Sequence, residues 1–111
     1  MTLYIRNYDT FLNIKNGKKK IEIRLAYGFI LTVKPGDVLT LQCRTSKLSI
    51  IITKISYYNL FNHLLNNIMI NHIFPDINET DKDKAIIRFN SYYPTSKLDR
   101  YPIVALHLNV I

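Results

Sequence analysis

The sequence predicts an α+β domain built on a small, curved, mostly antiparallel sheet. Short runs of alternating apolar and polar residues recur at both ends and through the middle of the chain, divided by turn signals. Two helical stretches with one apolar side interrupt them without following every strand, giving the order β-α-β-β-β-α-α-β. The chain is 111 residues long and 48% apolar. That is one domain, long enough to bury about two-thirds of its unfolded surface.

Thr2 to Arg6 reads as the first strand. Tyr8, Phe11, Leu12 and Ile14 follow a helical rhythm, with Asn7 or Asp9 able to cap its start and Gly17 suited to its end. Lys20 to Leu25 is the second strand, and the apolar run Ala26 to Val33 is a loop or short helical turn. Lys34-Pro35-Gly36-Asp37 makes a tight turn into the strand Val38 to Arg44, with Val38, Leu39 and Leu41 inward. Thr45-Ser46-Lys47 closes a hairpin into Leu48 to Tyr57, whose Ile50-Ile51-Ile52 centre predicts burial on both faces.

Asn59 is the expected cap of a helix with the stripe Leu60, Phe61, Leu64, Leu65 and Ile68. Ile70 to Asn78 reads as a loop. Thr80, with Asp83 three residues on, opens another helix whose buried side is Ala85, Ile86, Phe89, Tyr92 and Tyr93. Pro94 ends it, and the polar turn Thr95 to Arg100 leads to the last strand, Ile103 to Val110.

The second strand and the turn before it concentrate the chemistry. Residues two apart share a face of a strand, so Ile21, Ile23 and Leu25 point one way and Lys20, Glu22 and Arg24 the other. One carboxylate between cations suits an anion or a nucleotide, the cations meeting phosphate and the carboxylate accepting from amino or hydroxyl donors. A solvated edge of alternating charge has the same pattern. Strict alternation sets Lys18 and Lys20 beside Glu22, so Lys19 joins that face only if it still lies in the turn after Gly17. Charge is one-sided as well: residues 1 to 47 hold nine Lys or Arg against three Asp or Glu, and residues 48 to 111 hold six against five. The basic half contains this strand, as a nucleic-acid footprint would.

Gly17, Lys19, Glu22 and Arg24 form the pattern G-x-K-x-x-E-x-R, which resembles the signature of ASCH domains, small relatives of the PUA fold associated with RNA. Further marks follow in order through nearly the whole chain: Lys34-Pro35-Gly36-Asp37, the helix opening Tyr58 to Leu65, Tyr92-Tyr93 and the closing strand Ile103 to Leu108. The resemblance implies a PUA-like β-barrel of about five to six mostly antiparallel strands with two to three packed helices, and a cleft beside the signature strand. Periodicity alone does not require that the sheet close.

The resemblance also implies a site. Lys19, Glu22 and Arg24 are its candidate catalytic and ligand-binding residues, and Tyr27 and Tyr93 its candidate stacking residues, with Tyr92 the other half of the tyrosine pair. Arg6 and Lys15 flank the basic region and suit phosphate contacts. One branch of the family hydrolyses acetylcytidine with a threonine nucleophile, a lysine and a glutamate. The lysine matches Lys19, but the threonine falls at Glu22 and the glutamate near Asn78 or Glu79. A carboxylate cannot replace the hydroxyl in that acyl transfer without a change of mechanism, though Glu22 could serve as a general base toward water with Lys19 or Arg24 holding an oxyanion. Other ASCH proteins carry glutamate there, and some of them are ribonucleases or only RNA binders. Glu79 is expected at the helix N-terminus beside Thr80.

The expected partner is therefore RNA or a modified nucleoside, with a hydrolase or a protein-interaction module as alternatives. Such binding should weaken with salt, and Arg24→Ala should weaken it more than Lys97→Ala. No cofactor, metal or membrane is expected. His63, His72 and His107 do not stand at ligand spacing, and the single cysteine, Cys43, completes no cluster and excludes an internal disulfide. No apolar run reaches the ~18 residues of a membrane span. Met1 to Asn7 lacks the pattern of a signal peptide, so an intracellular location is expected. Oligomeric state is not readable from these residues.

Overall fold

The computed structural model describes residues 1–111. Its sheet has five strands, β1 (Thr2–Tyr4), β2 (Ile21–Leu25), β3 (Val38–Cys43), β4 (Ser46–Tyr58) and β5 (Ile103–Val110), in the spatial order β1-β3-β4-β5-β2. All neighbours are antiparallel except β1 and β3. The sheet is curled into a half-barrel, and β1 and β2 are its two free edges. These edges are not joined by a strand ladder. Arg24 on β2 reaches across instead, its Nη2 donating to the Tyr4 carbonyl on β1 at 2.7 Å.

Five helices pack around the sheet where two or three were expected: α1 (Tyr8–Lys15), α2 (Phe61–Leu65), α3 (Ile70–Ile73), α4 (Lys82–Ser91) and α5 (Thr95–Arg100). The surplus consists of short helices. Ile70–Ile73 is a single turn inside the stretch expected to be a loop, and Thr95–Arg100 is helical without burying any residue, so it has no apolar stripe to betray it. The Ala26 to Val33 stretch contains one 3-10 turn, Gly28–Thr32.

Alternation along the strands divides the core in two. Leu3, Leu39, Leu41, Ile50, Ile52, Val104, Leu106 and Leu108 fill the concave side of the sheet together with Phe11 and Ile14 of α1. Ile21, Ile23, Leu25, Ile103 and Ala105 face the other way, against Phe61, Leu64, Ile73, Ala85 and Phe89 of the helices. Directly opposed residues of paired strands share a face. Glu22 stands opposite Leu106 and Arg24 opposite Val104, so both charged side chains point to the concave side.

Local chemistry explains the boundaries. Asn7 accepts from the Thr10 amide to start α1, and Gly17, at φ 77°, follows its C-terminal end with its amide donating to Ile14. The cap of α4 is Asp81, not Thr80: Asp81 accepts from the Lys84 amide, whereas the Thr80 hydroxyl donates to Asn78, a competing local bond. Leu60, not Asn59, precedes α2 and lies exposed, because burial of Phe61 against Phe89 sets the start of that helix. Val38 is exposed too, since two successive strand residues cannot both face inward. Ile50 and Ile52 are buried and Ile51 only half-buried, so β4 is covered fully on one face alone.

Phe89 is buried and stacks on Phe61 with centroids 4.6 Å apart. Phe89→Ala should lower unfolding free energy by about 3–5 kcal/mol in urea titrations. Ile87→Ala, on the same helix but 70% exposed, should change it by less than about 0.5 kcal/mol.

Candidate nucleotide-binding cleft

The gap between the edges β1 and β2 opens into a cleft of about 700 Å³, a size that accommodates a small-molecule ligand. Its centre is Glu22. The carboxylate Oε1 lies 3.4 Å from Lys19 Nζ, and Oε2 accepts from Arg24 Nε at 3.2 Å and Nη2 at 3.0 Å. Lys19 and Glu22 are the two charged residues buried in the structure.

Lys19 reaches this position because the chain is still turning. The amides of Lys18 and Lys19 both donate to the Asn13 carbonyl, tying the turn to α1, and β2 begins only at Ile21. The Lys19 ammonium then donates to the Ile21 carbonyl at 2.8 Å and to the Ile73 carbonyl at the end of α3 at 2.7 Å. Lys18 and Lys20 are exposed. Lys19 thus still lies in the turn after Gly17, the condition for it to join the face of Glu22.

Burial and charge set the ionisation of the triad. Burial depresses the Lys19 ammonium below its usual range, outweighing the attraction of Glu22. Burial alone would raise the Glu22 carboxyl, but Lys19 and Arg24 together outweigh it and hold the group below the ordinary carboxylate range. Glu22 has two cations and keeps its charge. Lys19 shares one anion with Arg24 and gives up its proton more readily than a free lysine.

The walls carry aromatic and cationic groups. Tyr93 accepts a 3.4 Å bond from the Leu25 amide through its hydroxyl, while Tyr92 is largely exposed on the cleft rim. Burial raises the hydroxyl pKa of both. Tyr27 lines the cleft, but Tyr101 packs against its ring at 4.8 Å and Lys97 Nζ lies 5.3 Å from its centroid. Part of its stacking surface is already used. Lys97 itself lines the cleft and is therefore no distant control for Arg24. Five cations line the cleft against two carboxylates. Arg88 pairs with Asp76 at 2.6 Å, whereas Arg6 is exposed with its guanidinium unpaired within the chain.

Three solved structures share this arrangement of elements. A hypothetical protein known from a crystal structure matches with a TM-score of 0.82 and 24% identity over 100% of both chains. A Pyrococcus furiosus protein solved by NMR matches at 0.75 and 26%, over 100% of this chain and 98% of its own. An ASCH domain from Lactobacillus crispatus matches at 0.60 and 16%, over 98% of this chain and 77% of its own. The chain has the ASCH fold. No protein-family model and no curated protein matches it.

On this ASCH fold the five sequence-derived site residues, Lys19, Glu22, Arg24, Tyr27 and Tyr93, converge on one cleft. Arg6 joins them, and Lys15 does not. Glu79 stays outside. Its carboxylate accepts from the amides of Ile70 and Asn71, capping α3 instead of the helix that follows it. By fixing α3 it fixes the Ile73 carbonyl that holds Lys19. Tyr4 and Asn13 line the cleft too and were not singled out, since nothing in the strand or helix pattern marks them; Asn7, read only as a helix cap, lines it as well. His63 is exposed and His107 half-buried; no group of His, Cys, Asp and Glu is poised to hold a metal, and no helix is long and apolar enough to cross a membrane.

Removing Lys19 leaves the buried carboxylate with Arg24 as its one cation and takes the donor from two carbonyls. Lys19→Met should destabilise the fold by about 3–5 kcal/mol in chemical denaturation, whereas Lys18→Met should shift it by less than about 0.5 kcal/mol. The pH dependence has a definite sign. Glu22 titrates below its ordinary 4.5, so its contribution is present above that value and lost as pH falls through the folded value. Glu22→Gln should flatten that acid limb. Lys19 titrates below its ordinary 10.5, so the unfolded chain binds more protons just beneath 10.5 and stability rises with pH there.

Proposed function

We propose that the cleft binds RNA through a single nucleotide, or a free nucleoside derivative. The observation that carries this reading is the Glu22 carboxylate, buried and charged at the centre of a cleft whose remaining cations outnumber its anions. Stability gives little reason to bury such a triad, since a buried ion pair is often no better than an apolar substitute. An anionic ligand finds Arg6 and the exposed part of Arg24, and a base finds Tyr93 and Tyr92. Glu22 accepts from amino or hydroxyl groups of the ligand.

Short single-stranded RNA should bind with an affinity that falls about tenfold to thirtyfold between about 50 and about 200 mM salt, as for roughly three neutralised phosphates. Arg6→Ala should weaken binding and reduce the salt slope. Lys82→Ala, on α4 outside the cleft, should leave both unchanged. Equal losses from the two substitutions would remove the cleft from consideration.

One observation favours chemistry beyond binding: a buried lysine of lowered pKa beside a carboxylate in a cleft is a frequent catalytic arrangement. Glu22 is a weak candidate for the general base, because the two cations that hold it ionised also lower its proton affinity. Incubation with acetylcytidine should therefore release no free cytidine by chromatography. Release that disappears in Glu22→Gln would make the protein an amidohydrolase.

A further inference from the structure

The hydrogen bonding of β2 alternates between its two sides. The Lys20 carbonyl accepts from the Leu108 amide at 3.1 Å and the Ala26 amide donates to the Pro102 carbonyl at 2.8 Å, bracketing the ladder to β5. The Lys20 carbonyl, the peptide groups of Glu22 and Arg24 and the Ala26 amide thus face β5, while the Lys20 amide donates to the His72 carbonyl at 2.9 Å. In an antiparallel pair the residues between them, Ile21, Ile23 and Leu25, turn theirs to the open side.

Groups of the chain close most of that open side. The Ile21 carbonyl accepts from Lys19 Nζ at 2.8 Å, the Leu25 amide donates to the Tyr93 hydroxyl at 3.4 Å, and the Leu25 carbonyl accepts from the Tyr27 amide at 3.0 Å. Between these rungs the amide and carbonyl of Ile23 have no partner in the chain, although Ile23 is 5% exposed and lines the cleft. A buried peptide donor and acceptor both left without a partner are rare in folded proteins.

An extended residue presents its N–H and C=O side by side in one direction. That pair complements the polar edge of a nucleobase, where an amino or imino donor stands beside a ring nitrogen or carbonyl acceptor. A peptide adding to the sheet would meet the same groups, but it needs successive rungs along the edge. Here the neighbouring rungs are taken by Lys19, Tyr93 and Tyr27. One residue with both peptide groups open, beside the lone Ile21 amide, suits a flat ring and not a strand.

We infer that the peptide edge of Ile23 hydrogen-bonds the base of a nucleotide held in the cleft. This rests on the binding reading and adds to it: the base is read by main-chain groups, with the tyrosines beside it and the phosphate at Arg6 or Arg24. Side-chain substitutions in the cleft then alter affinity without abolishing the base contact.

The test is NMR on uniformly ¹⁵N-labelled protein, titrated separately with the four nucleoside 5′-monophosphates, with ribose 5-phosphate and with a capped trivaline peptide. At least one nucleotide should move the Ile23 amide downfield and slow its hydrogen exchange about fivefold or more. Ribose 5-phosphate should move Arg24 Nε and leave Ile23 in place. Nucleotides that move Arg24 Nε and the tyrosine signals but not Ile23 would overturn the base contact and leave the binding reading standing. No movement in the cleft with any nucleotide would overturn both. Movement of Ile23 by trivaline alone would overturn it in favour of a peptide. As an independent check, replacing the Ile23 amide by an ester removes that donor, keeps the side chain and every donor of the β5 ladder, and weakens one ladder acceptor, the Glu22 carbonyl. It should weaken the nucleotide that moved Ile23 about tenfold without changing ribose 5-phosphate, and unchanged nucleotide affinity would overturn the inference.

Discussion

The ion-paired carboxylate of Glu22 sits where three parts of the chain meet. Through Lys19 it links β2 to the carbonyl end of α3, and through Arg24 it links β2 to β1 across the open seam of the half-barrel. The sheet needs this because its two edge strands share no ladder. A side-chain bridge closes the seam at one point and leaves space on either side of it. A continuous ladder would have filled the cleft.

That arrangement also fixes the electrostatics. Two cations on one buried carboxylate keep it charged, and the surplus positive charge falls on Arg6, Lys97 and the outer part of Arg24. Glu79 supports the same centre from a distance by capping α3, whose last carbonyl holds Lys19. Such support places the Lys19 ammonium within a few tenths of an ångström of ordinary hydrogen-bond distance from two carbonyls at once. The triad is thus held in place by the chain's own groups, and preorganisation of that kind lowers the cost of binding wherever a ligand is bound.

Much of the strand framework was legible in the sequence because period-two alternation is a strong local signal. β2 and β5 came within a residue of their observed bounds, and β4 extends beyond its expected start because its outer face is polar there. Short helices were not legible. A four-residue turn such as α3 is made by a tertiary contact, the Glu79 carboxylate, and its own residues have no helical stripe. Helix starts were misjudged where two polar residues compete, as Thr80 and Asp81 do. Of the five candidate residues, Lys19, Glu22, Arg24 and Tyr27 were readable around β2, and Tyr93 only through the tyrosine pair of the family resemblance. Their depth was not, since an alternating strand looks the same whether its charged face meets water or the inside of a curled sheet. The open rung at Ile23 was invisible for the same reason: main-chain groups leave no mark on residue types.

Photo-crosslinking tests most directly whether the cleft holds a nucleotide. A short single-stranded RNA containing 4-thiouridine would be irradiated with the protein and the attachment sites mapped by mass spectrometry. The account predicts attachment at Tyr92, Tyr93 or Tyr27, the aromatic residues of the cleft, reduced in Arg6→Ala. Attachment confined to residues outside the cleft, or none at protein concentrations that saturate salt-sensitive binding, would contradict it.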